Sequence, residues 1–321
     1  MPIVSGLYRF PVKGLSPQSM SSVTVAAGQP FPMDRIFALA RPGTSINSRN
    51  PSWAKKSKFV MLMLDQQLAE IQTEINLDTL ELSIRKNNEL LFKLNLGDQT
   101  GKLALERFIQ NLIPSLNESP RFIQSIDGHF MDKPNNLISL INLETLRMIE
   151  KKWGANIDPL RFRANIYIDN VEPWSEFNWV GRDISVGSGV FNVDSRNGRC
   201  GATNVNPKNG RRDLNIPGSL RRTFGHKELG VYLVAKSKVY LAVGDYFNVP
   251  DIPIIEFAQP NFQEPSLNSF ICKGCYFIYD EKIGCANSGV KPGTKFGEIQ
   301  KSWLCPDCGA SKLSFEKFHL N

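Results

Sequence analysis

Short apolar or alternating runs, divided by proline, glycine and polar turns, occupy residues 1–90 of this 321-residue chain. Alternation of apolar and polar side chains with a period of two indicates strands with one buried face. The runs read IVSGLYRFPV, SSVTVAA, RIFALAR, KFVMLML, LAEIQTEIN and LELSIRK. They predict a small β-barrel or sandwich at the start of the chain.

Two later segments have helical spacing. Residues 102–114 place Leu, Phe and Ile at helical intervals, and residues 141–153 form a second amphipathic pattern with Asn142 near its start. Strand-like runs then return, with a turn predicted around residues 236–238. These runs read RANIYID, FNWVGRDISVG, GVFNVDS and ELGVYLVAKSKVYLAVGD. The pattern therefore predicts a mainly β chain with some helix, of the α+β class.

The composition changes after the predicted strands and helices, near residue 248. Residues 248–268 contain four prolines and little periodicity, which is typical of a linker with some stiffness. We therefore expect four parts, which are a β-rich domain, a second domain, a Pro-rich linker and a small C-terminal domain. Their predicted ranges are 1–95, 96–250, 251–268 and 269–321.

Two Cys-x-x-Cys pairs close the chain, Cys272 with Cys275 and Cys305 with Cys308. Four thiolates in two such pairs form a tetrahedral sulfur site, which suits zinc or iron. Zinc ribbons place about 15–20 residues between their pairs, whereas 29 residues, 276 through 304, separate the pairs here. The spacing favours iron and leaves structural zinc as the alternative.

The segment CKGCYFIYDEKIG, continued by GVKPGTKFGEIQKSWLCPDCGASKLSFEKF, resembles rubredoxin from the first cysteine pair to the chain end. The matching aromatic residues are Phe277, Tyr279, Phe296, Trp303 and Phe315. The resemblance implies a small domain in which the four cysteines hold one iron that carries single electrons. Gly309 keeps the glycine that the family places after the last pair, but Tyr276 replaces the first such glycine.

Charge and hydropathy narrow the classes of partner. The net charge of the chain is +7. The densest basic segment of the chain, residues 211–222, contains Asp, Pro and Gly and shows no helical periodicity. Nucleic-acid binding needs a focused basic stripe, so we expect no nucleic-acid partner. The N-terminal residues have no sustained apolar run, which predicts no signal peptide and no membrane span. Cysteines spaced for metal rather than disulfides predict a cytoplasmic protein.

Cys200 is a second candidate for chemistry. It lies in the loop DSRNGRCGATNVNPKNGRRD, after a predicted strand and between Gly198 and Gly201, which let a ligand approach the backbone. Arg196 and Arg199 would favour its thiolate form. A lone cysteine is more often a buried small hydrophobe, but the polar and cationic neighbours argue against burial here.

Around this loop the sequence resembles a MOSC domain. The run DPLRFRANIYID precedes the Arg-Cys loop, which ends in Asn-Pro as in that family. Upstream, FPVK at 10–13 and the Asp-Arg pair at 34–35 are similar to the β-barrel that precedes MOSC in the amidoxime-reducing component group. The resemblance covers roughly residues 1–250. It implies a MOSC N-terminal β-barrel followed by a MOSC β-barrel body.

That resemblance implies a molybdenum cofactor, molybdopterin. Cys200 would ligate molybdenum and serve as the catalytic residue, because soft metal centres accept thiolates readily. Lys13 and Arg35 would hold the terminal phosphate of the cofactor, and Arg163 would contact the pterin. The other positions matched to the cofactor pocket are Ser139, Asn165 and Arg199.

The sequence departs from the family at one position of the signature. The family often has Ser after the signature lysine, where this chain has Gly14, so one hydroxyl contact is missing or comes from Ser16. The family-level association with pyridoxal phosphate also has no counterpart here, because no aminotransferase-like segment accompanies the motifs.

Together the two resemblances imply a molybdenum-dependent oxidoreductase that reduces N-hydroxylated compounds with electrons from its own iron domain. No P-loop or dinucleotide motif stands in a strand–turn–helix context. An external NAD(P)H-dependent rubredoxin or ferredoxin reductase is therefore expected beside the small-molecule substrate. Two alternatives stay open: a sulfur carrier of the molybdenum-cofactor sulfurase kind with a persulfide on Cys200, and a non-catalytic cofactor-binding protein with a structural zinc tail.

Overall fold

The computed structural model describes residues 1–47, 52–126, 128–250, 268–273, 277–307 and 309–318. The predicted linker lies outside the described residues, apart from its last position. The helices are α1 Gln99–Leu112, α2 Leu143–Trp153 and α3 Ile216–Phe224. The strands are β1 Ile3–Arg9, β2 Gln18–Met20, β3 Ser22–Val25, β4 Phe37–Ala40, β5 Gln72–Ile75, β6 Glu81–Lys86, β7 Glu89–Asn95, β8 Arg121–Gln124, β9 Ile138–Asn142, β10 Ile166–Asp169, β11 Asp183–Val186, β12 Gly189–Gly198, β13 Glu228–Ala235, β14 Val239–Ala242, β15 Phe247–Asn248, β16 Ser269–Cys272, β17 Ile278–Asp280 and β18 Phe315–Lys317.

Most strands of the body join one curled sheet. Its order is β15-β11-β12-β13-β9-β10-β1-β2, in which β9 and β10 run parallel and the other neighbours antiparallel. Strand β15 returns to the start of β1, where the Phe247 N–H donates to the Pro2 carbonyl over 2.9 Å and Ile3 bridges Tyr246. The sheet thus curls into a half-barrel, which confirms the predicted mainly β, α+β fold class.

Strands from the first 95 residues pair repeatedly with strands from the rest of the chain. Strand β1 pairs with β10, β3 with β14, and β4 with β8, whereas β5, β6 and β7 form a sheet of their own. The predicted boundary between 95 and 96 therefore does not separate the sheets, and the division into domains stays a prediction.

One predicted strand is a loop. The run KFVMLML, residues 58–64, makes only two ladder bonds with the end of β4, from the Val60 N–H to the Leu39 carbonyl and from the Arg41 N–H to the Lys58 carbonyl, both over 2.8 Å, and then turns. The buried Asp65 carboxylate accepts from the Met61 N–H over 2.9 Å and pairs with Arg41. A continuous apolar run does not specify a strand, and here its methionines are buried by another part of the chain.

Both predicted helices form, and a third was missed. Helix α1 begins at the Asp98 cap, and α2 begins at the Asn142 cap, whose side-chain oxygen accepts from the Glu144 N–H over 3.0 Å. Helix α3 begins within the basic segment 211–222, in which the sequence showed no helical periodicity. The sequence analysis therefore did not predict this helix. Its Asn215 cap, early proline and closing Gly225 at φ +76° are ordinary helix-boundary signals.

The curled sheet buries apolar side chains on both faces. One face packs against β3 and β14 through residues such as Phe191, and the other packs against α2 and α3. Fully burying a side chain of this size contributes about 2 kcal/mol. A further core joins α1 to the sheet of β5, β6 and β7. No helix within the described residues is long and apolar enough to cross a membrane.

The C-terminal unit is a three-stranded sheet, β17-β16-β18, packed on aromatic rings. Tyr279 donates its hydroxyl to the Thr294 carbonyl over 2.6 Å, and the Trp303 indole donates to Ser288 Oγ over 2.9 Å. The clustered rings are Phe270, Phe277, Tyr279, Phe296, Trp303 and Phe315. This small core contains the aromatic residues that the sequence predicted around the cysteine pairs.

Candidate cofactor and metal sites

Three predicted cofactor residues converge from distant segments. Lys13 follows β1, Arg35 precedes β4, and Arg163 precedes β10. Arg35 Nη2 donates to the Arg163 carbonyl over 2.9 Å, and both guanidinium groups lie over the Phe10 ring, at 4.5 and 4.2 Å from its centre. Buried Asp34 fixes this corner, since its carboxylate pairs with Arg35 and accepts from the Phe10 N–H over 2.7 Å.

The backbone around this cluster is held in unusual conformations. Arg35 and Arg163 both have φ +51°, in the left-handed region that side chains other than glycine seldom adopt. Such strain persists where the surroundings impose it, and it concentrates at functional sites. Gly14 has φ +87°, and a Cβ there would lie 3.2 Å from the Val60 carbonyl oxygen and 3.0 Å from Leu68. The loop therefore requires glycine where the family often has serine.

The hydroxyl of Ser16 is held by strand β5. Its Oγ accepts from the Thr73 N–H over 2.9 Å, and the Ser16 N–H donates to Thr73 Oγ1 over 3.2 Å. This reciprocal pair ties the loop after β1 to strand β5.

The Asp132 carboxylate contacts two lysines of the pocket. Lys13 Nζ donates to Asp132 Oδ1 over 2.6 Å and to the Phe130 carbonyl over 2.7 Å, and Lys56 Nζ lies 3.7 Å from Asp132 Oδ2. Burial would raise the pKa of Asp132, but Lys13 and then Lys56 outweigh it and lower that pKa. This arrangement favours an anion at the centre of the cluster.

Burial destabilises the charged forms of the cationic side chains. It lowers the pKa of Lys13 despite the nearby Asp132 carboxylate, and burial followed by repulsion from Arg35 lowers the pKa of Arg163. Arg163 Nη1 donates to the Leu15 carbonyl over 2.7 Å, but its buried Nη2 has no hydrogen-bond partner among the described residues. A phosphate-bearing ligand fits this donor set, because charge-assisted bonds to phosphate would satisfy it.

Ser139 and Asn165 are close together but bind each other. Ser139 Oγ donates to Asn165 Oδ1 over 2.9 Å and accepts from the Asn165 N–H over 3.1 Å, and Asn165 Nδ2 donates to the Tyr8 carbonyl over 3.2 Å. These bonds join strand β1 to the parallel pair β9 and β10. The predicted contact of Ser139 and Asn165 with a cofactor stays a prediction.

Cys200 follows β12 and remains partly exposed, at the start of a 3₁₀ turn over Gly201–Asn204. Its carbonyl accepts from Thr203 Oγ1 over 2.9 Å, which fixes the turn. The Lys56 ammonium lies near enough to the Cys200 side chain to interact with it electrostatically. Burial would lower the pKa of Lys56, but Cys200 and Asp132 raise it above its usual value. Lys56 thereby links Cys200 to the cationic pocket.

The two arginines predicted to flank the thiolate have other partners. Buried Arg199 donates through Nε to the Leu229 carbonyl over 2.8 Å and through Nη1 to the Phe162 carbonyl over 3.1 Å. The Arg196 guanidinium lies over the Phe177 ring, 4.5 Å from its centre. Sequence reasoning missed Lys56 and Asp132, because nothing in the runs WAKKSK and MDKP distinguishes them from surface charges.

The predicted metal ligands can be placed in part. Cys272, at the end of β16, and Cys305 are buried, at 0% and 2% exposure. Cys275 and Cys308 lie outside the described residues, as does Tyr276. The Cys305 carbonyl accepts from the Gly309 N–H over 2.8 Å, and Gly309 has φ +76°. This is the glycine turn expected after the last pair.

The C-terminal unit packs against the body beside Cys200. Lys227 Nζ lies 2.8 Å from Asp307 Oδ2, and Gly309 lies against Ser57. Met61 and Met63, from the loop predicted as a strand, join the apolar cluster of the C-terminal unit. That cluster contains Cys272 and Cys305, and Cys200 and Ala202 pack against it. The two candidate sites therefore share one apolar contact region.

Comparison with known proteins finds matches for both the body of the chain and its C-terminal unit. A family model described as MOSC domain matches residues 127–248, and one described as rubredoxin matches residues 269–315. Rubredoxin-2 from Rhodococcus erythropolis is 53% identical over 52 residues, which are 16% of this chain and 82% of that protein. Rubredoxin from Acinetobacter baylyi is 46% identical over 54 residues, which are 17% of this chain and 100% of that protein.

Among solved structures, the YUAD protein from Bacillus subtilis covers 78% of this chain and 96% of its own, with 14% identity and a TM-score of 0.37. With Cys272 and Cys305, the aromatic shell and the glycine turn in place, the chain belongs to the rubredoxin family through its C-terminal domain, and residues 127–248 before it match a MOSC domain.

Proposed function

We propose that the chain is a molybdenum-cofactor-dependent reductase whose rubredoxin domain supplies electrons to a cofactor bound at Cys200. The observation that carries this proposal is the packing of Cys200 against the apolar cluster that contains Cys272 and Cys305. A one-electron carrier and a candidate metal-binding thiolate thus meet within one chain.

The residues around the cationic cluster fit the cofactor. Lys13, Arg35 and the unpaired Nη2 of Arg163 would hold the phosphate and pterin of molybdopterin, and Cys200 would ligate molybdenum. When bound, the molybdenum cofactor supplies oxygen-atom exchange coupled to two electrons, and iron in the four-cysteine site supplies single electrons. Ser139, Asn165 and Arg199 would orient the strands and loop that carry these ligands.

N-hydroxylated compounds such as amidoximes are the proposed substrates, on the strength of the family resemblance. Reduction breaks the N–O bond, consumes two electrons and two protons, leaves the nitrogen with hydrogen, and releases the oxygen as water. Lys56, whose raised pKa keeps it protonated, would supply a fixed positive charge near Cys200 and Asp132, and the two protons would come from solvent. An external NAD(P)H-dependent rubredoxin or ferredoxin reductase would reduce the iron again after each turnover. The reaction is proposed to take place in the cytoplasm, and no nucleic acid or membrane would take part in it.

Metal analysis of the purified full chain tests the assignment. We expect about one iron and one molybdenum per chain and a red protein, because iron tetrathiolate absorbs visible light and zinc does not. Cys200→Ser should lose molybdenum and keep iron, whereas Ser57→Ala, changed at the rim of the contact, should keep both. Zinc without molybdenum, or a persulfide on Cys200 as the stable modification, would contradict the proposal in favour of a binding module or a sulfur carrier.

A further inference from the structure

The loop from Lys56 to Gln66 forms a surface beside Cys200 that hydrogen bonds hold in place. The Arg212 guanidinium donates to the Met63 carbonyl over 2.7 Å, to Gln66 Oε1 over 2.8 Å and to the Gly201 carbonyl over 3.1 Å. One side chain therefore joins this loop to the turn that follows Cys200. The Arg41–Asp65 pair holds the loop from its other side.

The partner of this surface is within the same chain. Asp307 lies between the last two cysteines and pairs with Lys227, and both side chains keep between a quarter and a third of their exposure. Gly309 meets Ser57, where a Cβ would lie 3.3 Å from the serine side chain. An apolar contact, a close backbone approach and an ion pair thus converge on one loop of the rubredoxin domain.

Lys227 lies close to Cys200 in the fold. Its carbonyl accepts from the Arg199 N–H over 2.9 Å, so it sits directly opposite the residue before Cys200. A charge at Lys227 therefore acts at the rim of the site and outside the cationic cofactor pocket.

We infer that Ser57, Met61, Met63 and Lys227 form a docking site for the rubredoxin domain of the same chain, and that the Lys227–Asp307 ion pair latches it. In the docked state the surface that contains Asp307 and Gly309 is the face through which electrons leave the iron for the Cys200 site. The inference rests on the proposed function for its electron-transfer part, while docking itself is measured independently. Because the latch is partly exposed, docking is expected to weaken as salt rises.

Hydrogen–deuterium exchange on the full chain, resolved for the peptide over 56–64, measures docking. Lys227→Glu should speed exchange of this peptide by about fivefold, because a weak attraction becomes a repulsion of similar size. Adding Asp307→Lys should restore slow exchange, provided that iron content is unchanged. Lys236→Glu breaks a comparable exposed pair with Asp183 on β11, 2.7 Å apart, and should leave the peptide unaffected.

A second variant avoids charge altogether. Ser57→Phe should block the approach of Gly309 and speed exchange in the same peptide, without altering the ion pair residues. Exchange that is unchanged in both Lys227→Glu and Ser57→Phe overturns the docking site. Protection that rises with protein concentration also overturns it, since the partner would then be a second copy.

The same variants separate docking from function. In the metal-loaded chain, Lys227→Glu should slow substrate-driven oxidation of the iron by a similar factor, about fivefold. Docking that behaves as expected, in a chain whose iron is never oxidised by substrate, contradicts the proposed function and leaves the docking site standing. Normal iron oxidation with no exchange effect contradicts the docking site alone.

Discussion

At the scale of single residues, Lys56 is a cation placed near Cys200. Its ammonium interacts electrostatically with Cys200 and lies 3.7 Å from Asp132. It thus stands between Cys200 and the cationic cluster. A fixed positive charge at that position favours negative charge on the sulfur, which is the form that binds metals and attacks electrophiles.

Removing that charge should make Cys200 less reactive. In protein freed of cofactor, Lys56→Met should slow alkylation of Cys200 by iodoacetamide by roughly tenfold, since thiolate is the reacting form. Mass spectrometry of the Cys200 peptide measures the rate separately from the other cysteines. The neighbouring exposed Lys55→Met is the matched control and should react like wild type. Equal rates for both variants would remove Lys56 from the site.

Single residues also show what a sequence records. Lys13, Arg35, Arg163 and Cys200 could be named because each falls in a short motif that resembles one of a known family, and their role in cofactor binding stays a prediction. Lys56 and Asp132 could not, because their importance comes only from the folding that brings residues 56, 132 and 200 together. Local spacing records none of these long-range contacts.

At the scale of elements, the segment that joins β10 to β11 is tied to helix α2 by a buried carboxyl. Glu176 is fully buried and accepts from Asn142 Nδ2 over 3.0 Å and from Thr145 Oγ1 over 3.1 Å. Burial raises its pKa to about 7, although both hydrogen bonds act to lower it. The folded protein therefore binds this proton more tightly than the unfolded chain does.

That difference makes stability depend on pH. The stabilising contribution of the bound proton is fully present below the unfolded pKa near 4.5 and is lost as pH rises through about 7. Glu176→Gln should therefore be more stable than wild type at pH 8, by about 1–3 kcal/mol, with a much smaller difference at pH 5. Guanidinium unfolding followed by tryptophan fluorescence measures this, and the exposed Glu74→Gln is the control. A difference that is equal at both pH values would refute the assignment.

Elements differ in how far their sequence determines them. Alternation predicted β1, β3, β4 and β12, and the Asn142 cap predicted the start of α2, because these signals are local. The run KFVMLML failed as a strand since its continuous apolar pattern reflects burial of Met61 and Met63 beneath the rubredoxin domain. Helix α3 was missed because charged residues obscured its short apolar face, although Asn215 and Gly225 marked its ends.

At the scale of the whole molecule, the two candidate sites share one interface. The MOSC half presents Cys200 beside a cationic pocket, and the rubredoxin half presents Cys305 and Asp307 to the same region. Holding donor and acceptor on one chain raises their effective concentration far above that of separate proteins. The arrangement predicts that electron transfer between the two sites is intramolecular.

Anaerobic mixing of the pre-reduced, metal-loaded full chain with an aromatic amidoxime tests this account most directly. Recovery of the visible absorbance of ferric tetrathiolate follows oxidation of the iron. We expect substrate-dependent oxidation at a first-order rate that does not change with protein concentration, with one amidine formed per two electrons, and no such oxidation in Cys200→Ser. Iron that stays reduced in the presence of substrate, in protein shown to contain both metals, would contradict the central claim.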